Sequence, residues 1–161
     1  MAVVVGAVTG LAILALNKYL FAPYIGAAPH TGVHPTVWQG FLACFYGGID
    51  EEILMRLGLL SVFALILRTV VRAVGVGRGA TLPAGVFWAA NLIVAILFGL
   101  AHLPAIATVA PLTSAVILRA VVLSGIGGLV FGDLYRRFGL ESAMVAHFSG
   151  DIVLHVLIPI G

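Results

Sequence analysis

The sequence predicts an all-α fold, a polytopic transmembrane helical bundle of about five spans, and three observations carry that prediction. Of the 161 residues, 62% are hydrophobic and 9% charged, whereas a soluble domain carries roughly a quarter charged residues. With a mean hydropathy of +1.21, a water-soluble fold could not cover so much apolar surface. Runs such as Val86 to Leu100 lack the every-second-residue alternation of a membrane β-barrel strand, which leaves helices. Polar or turn-forming residues then divide the chain into five apolar segments, near Ala2–Phe21, Thr36–Leu67, Leu82–His102, Leu112–Tyr135 and Leu140–Ile160. At roughly 20 residues per span this is a single membrane domain over residues 1–161, with the lipid bilayer as its first partner.

The first segment has no basic residue ahead of it and no small-x-small cleavage site before Lys18, so it reads as a retained span and not a removed signal. The stretch APYIGAAPHTGVHP that follows is rich in Pro and Gly and reads as an extramembrane loop. Its His30 and His34 have the spacing of helical metal ligands, but Pro29 and Pro35 argue against a helix there. Cys44 is the single cysteine, which excludes an internal disulfide and a multi-cysteine metal site. The second segment would be ~48 Å long as one helix, against a hydrocarbon core of ~30 Å. A break is expected at Gly47 and Gly48, with Asp50 capping a new helix.

The connector from Arg68 to Thr81 carries Arg68, Arg72 and Arg78, and the turn after the fourth segment carries Arg136 and Arg137. Both are predicted to be cytoplasmic by the positive-inside rule, which also puts the amino terminus in the cytoplasm. Val70, Val71 and Val74 fall at helical spacing beside these arginines, so the connector is expected to begin as a helical turn lying in the interface. These few arginines account for the basic pI, and no nucleic-acid partner is implied.

Asp50, Glu51, Glu52 and Arg56 lie between the apolar stretches FLACFYGGI and ILMRLGLL. At roughly 2.5–3.5 kcal/mol per charged residue near a helix centre, four cost on the order of 10 kcal/mol. Glu52 and Arg56 are spaced i and i+4, so they meet on one helix face as a charge-assisted pair. Glu51 points about 100° away and is free to meet another helix. The third segment ends in LFGLAHLP, with His102, and the fifth contains AHFSGDIVLH, with His147, Asp151 and His155 in one i, i+4 row. Three spans thus bring acid, imidazole or both, and a bundle can converge them on one cavity. There a carboxylate and an imidazole can activate water, and a protonated histidine can stabilise an oxyanion. Counted from the basic end at 1.5 Å per residue, His147 comes out roughly 10 Å shallower than Glu52, a mismatch that tilt or a break at Gly47–Gly48 would remove.

In this order, GGIDEEILMR, LFGLAH and AHFSGD resemble the motifs of the CAAX-protease and bacteriocin-processing family, which includes type II prenyl endopeptidases. The stretch GGLVFGDLYRRFGLESAMVAHF is similar to the Gly-rich span, basic turn and next span that precede the last motif. The likeness covers about Ile49 to Leu154, within a family-like core of about residues 36–160. It implies an intramembrane endopeptidase that hydrolyses a membrane-associated peptide, prenylated or bacteriocin-like, in a bacterial or archaeal cytoplasmic membrane. By matching positions, Glu51 and His102 would activate water, Glu52 and Arg56 would support them, and His147 with Asp151 would stabilise the tetrahedral intermediate. Asp151 stands where the family often has Asn, and an aspartate donates only when protonated.

No cofactor is required by that reading. A zinc ion held by Glu51, His102 and His147 is the alternative, since three ligands would leave a position for water. A proton- or cation-coupled transporter uses the same residue types, although no paired repeat is visible, and a non-catalytic immunity protein could share the fold. The chain has no HExxH, GxSG or GxGD motif; Phe131-Gly132-Asp133 lacks the earlier glycine. Asp133 and Glu141 read as polar residues near the cytoplasmic end.

Overall fold

The computed structural model describes residues 1–25, 36–75 and 81–158. His30, His34 and their flanking prolines, and Arg78, lie outside the described residues. The described chain forms five helices: α1, Ala2–Ile25; α2, Val37–Ala73; α3, Ala84–Ala107; α4, Ser114–Phe138; and α5, Leu140–Asp151 continued by π-helix over Ile152–Leu157. The first four are each long and apolar enough to cross a membrane, and the chain is an all-α integral membrane protein.

Local chemistry sets the helix ends. Thr36 and Gln39 form a reciprocal capping box at the start of α2, satisfying donors the first turn would leave orphaned. Thr113 Oγ1 accepts the Val116 N–H at the start of α4. Gly139, at φ 90°, ends α4 in a conformation glycine adopts without strain, and α5 begins at the next residue. In α3 the regular helix stops at Ala101, and a short turn over Leu103–Ala107 follows; Pro104 cannot donate into the preceding turn.

The second helix corrects two expectations. It does not break at Gly47–Gly48, and Asp50 caps nothing; the helix instead widens into π-helical stretches over Tyr46–Glu51 and Ile53–Leu60. It also runs on to Ala73, so Arg68 and Arg72 lie in its last turns, and the connector begins as helix, as the spacing of Val70 and Val71 beside them predicts. The glycines serve close approach. A Cβ at Gly47 would collide with the Asp151 carboxylate, and one at Gly48 would come within 2.9 Å of Phe148 Cβ.

Helix α5 packs against α1, α2 and α4. Side-chain Cβ atoms would clash at Gly6 with Ala146, at Gly10 with Gly150, and at Gly40 with His155. Small residues thus let the backbones touch, the usual route to helix association in lipid. One apolar core, of Met55, Leu60, Phe87, Val94 and Phe98, joins α2 to α3; another, of Phe131, Leu134, Ala143 and Ala146, joins α4 to α5. Asn91, fully buried, donates to the Leu129 carbonyl at 3.1 Å and ties α3 to α4. At one end of the bundle Arg136 stacks over Phe87 and Trp88 of α3, and Asp133 pairs with Arg136 at 3.0 Å and Arg137 at 2.7 Å.

Candidate active site

The site begins with a carboxylate that has no exposure at all. Glu52 Oε2 accepts from Arg56 Nε at 3.0 Å, and Oε1 accepts from Arg56 Nη2 at 3.2 Å. Both side chains are 0% exposed. This is the i, i+4 pair the spacing predicts, in the bidentate form that suits a guanidinium. Oε1 also receives His147 Nδ1 from α5 at 2.8 Å. One oxygen therefore ties the ion pair of α2 to the imidazole of another helix.

The far side of that imidazole faces two more acids. His147 Nε2 lies 3.8 Å from Glu51 Oε2 and 3.6 Å from Asp151 Oδ2. Asp151 Oδ1 is in turn 3.9 Å from His155 Nε2, so the row on α5 continues outward to a histidine whose side chain is 44% exposed. The Phe131 ring stacks on His147, with centroids 4.9 Å apart, and fixes its plane. Asp50 is exposed and takes no part.

The expected depth mismatch is absent: Glu52 and His147 are in direct contact. Counting residues from the membrane edge assumes regular, upright helices, whereas the π-helical stretches and the glycine contacts set the level of α2 against α5. Glu51, Glu52, Arg56, His147 and Asp151 form one cluster. His102 stands apart from it, on the third helix. Its Nδ1 pairs with the Phe98 carbonyl at 2.7 Å, and the Phe98 ring meets both His102 and His147 edge-on, at 4.8 and 5.9 Å. Because a carbonyl only accepts, Nδ1 carries the proton and Nε2 is the lone-pair nitrogen of the neutral ring.

A cavity of about 270 Å³ opens between α1, α3, α4 and α5, with His102, His147, Asp151 and His155 on its wall. Glu51 approaches His147 from the α2 side. Among the described residues no group of three His, Cys, Asp or Glu side chains is arranged to hold a metal ion. Arg119 of α4 lines the same cavity and was passed over in the sequence. The signal was available: a charge inside the fourth apolar segment, found by the rule that picks out Glu51 and Glu52.

An all-helical membrane bundle with carboxylates and imidazoles gathered inside it defines a class of intramembrane proteins with a buried polar site. A model of the type II CAAX prenyl endopeptidase Rce1-like family matches residues 33–153, and the chain belongs to that family. No curated protein and no solved structure matches it.

Proposed function

We propose that this protein is an intramembrane endopeptidase that hydrolyses a peptide bond of a membrane-associated substrate, prenylated or bacteriocin-like, in a bacterial or archaeal cytoplasmic membrane. The observation that carries the reading is the His147 imidazole, held by Glu52 on one nitrogen and facing Glu51 and Asp151 with the other. A purely structural ion pair would need only Glu52 and Arg56. The additional acids, beside a cavity that reaches His102, suit proton transfer.

In the proposed reaction Glu51, assisted by His102 Nε2, takes a proton from water as the oxygen attacks the peptide carbonyl. The carbonyl π pair moves to its oxygen. Protonated His147 and, when it carries a proton, Asp151 donate to that oxyanion. The C–N bond then breaks, the proton passes to the leaving nitrogen, and a carboxylic acid and an amine result. Glu52 and Arg56 touch no reacting atom; they position His147. No step requires a metal.

Purified protein in liposomes, offered a panel of membrane-anchored peptides, should cleave one or more of them. Glu51→Gln and His102→Ala should each lower the rate by at least ~100-fold, the scale of a lost general base. Unchanged rates in both variants would refute these roles. Metal content and chelation address the zinc alternative. Stoichiometric zinc, with activity lost on its removal and restored on its return, would overturn the metal-free mechanism while leaving the protease intact.

A further inference from the structure

We propose that Arg119 receives a carboxylate of the substrate peptide and so sets where along its length the peptide is held; this rests on the endopeptidase reading. Arg119 Nε donates to Asn17 Oδ1 of α1 at 2.6 Å, and the side chain lines the cavity shared with His102, His147 and Asp151. An amide oxygen orients a guanidinium without neutralising it. Among the described residues no carboxylate forms an ion pair with Arg119, whereas Arg56, Arg136 and Arg137 each have one. With Nε engaged, the outer edge of the fork is left to bind, and its two parallel N–H groups match a carboxylate.

The plain alternative is an interfacial anchor, an arginine reaching along the lipid-facing surface to the headgroups. Arg119 is instead clamped to a neighbouring helix and turned into the bundle. Such a charge is costly in a membrane, and an anionic ligand offsets the cost. Phe131, which stacks on His147, lies some three turns further along α4, about 18 Å at 1.5 Å per residue. Between an anchored carboxylate and the His147 ring there is room for a few extended residues at ~3.3 Å each. The carboxylate could come from the end of the chain or from an Asp or Glu side chain.

The test measures binding, not turnover. A fluorescent, N-acylated apolar hexapeptide is made with a free C-terminal carboxylate, with an amide, and with an amide after a terminal Glu. Each is titrated by anisotropy against the non-cleaving Glu51→Gln protein in neutral detergent. The free carboxylate or the Glu peptide should bind about tenfold to a hundredfold tighter than the plain amide, as one charge-assisted pair warrants. Whichever does so identifies the source. Adding Arg119→Gln should erase the difference and leave amide binding unchanged, and Arg119→Lys should keep part of it.

Equal binding of all three peptides, including no binding of any, would overturn the proposal, as would a preference that survives Arg119→Gln. Loss of the preference on adding phosphatidylglycerol would assign Arg119 to a lipid headgroup and likewise overturn it. Wild-type cleavage is measured in parallel. Preference without cleavage counts against the endopeptidase alone, and cleavage without preference counts against Arg119 alone.

Discussion

Glu52 is the residue on which the site depends most, because its two oxygens serve three donors from two helices. Removing Arg56 takes two of those three donors from a carboxylate with no exposure, and breaking a buried pair costs about 3–5 kcal/mol. Arg56→Gln should therefore lower the yield of monodisperse protein in detergent as well as activity. The double change Glu52→Gln with Arg56→Gln should recover part of the yield but not the activity, since His147 loses its ionic partner. Wild-type yield from Arg56→Gln alone would show that the pair is not structural. The pair itself was legible from i, i+4 spacing. The His147 contact was not, because it depends on how two helices are set against each other.

Among the elements, α2 and α5 owe their approach to Gly47 and Gly48. In sequence a glycine pair reads equally as a flexible break or as a place where another backbone comes close, and only the packed structure chooses. Gly48→Ala places a methyl within 2.9 Å of Phe148 Cβ and 3.2 Å of the Met144 carbonyl, so overpacking of about 1–3 kcal/mol is expected. Its thermal midpoint in detergent should fall. At Gly85 a Cβ meets nothing within 4 Å, and Gly85→Ala should leave the midpoint unchanged or slightly raised. Equal shifts in the two variants would deny the packing role of Gly48. Gly47→Ala should act differently, displacing the Asp151 carboxylate and lowering activity by roughly tenfold or more, the scale of misplaced reacting groups.

For the whole molecule, the contact of Arg136 with Phe87 and Trp88 puts the α4–α5 turn beside the start of α3. Both basic segments are predicted to face the cytoplasm. Reporter fusions after Arg72 and after Arg137 should each give a cytoplasmic signal; an external signal from either would invert the topology. Among the described residues, helix number was legible and helix limits to within about six residues, because hydropathy dominates insertion. The arrangement was not, and α5 shows why. It carries Glu141, His147, Asp151 and His155 and falls outside the four helices that are apolar enough to cross by themselves, yet α1, α2 and α4 all pack against it. The ribosome delivers α5 after its four neighbours, and because lipid alone disfavours Glu141, His147 and Asp151, the helices already made offer them the more favourable surroundings. A nascent chain that stops before His147 has the carboxylates of α2 in the bilayer and no imidazole to meet them. The contact between His147 and Glu52 therefore forms only once the last of the five helices has been made.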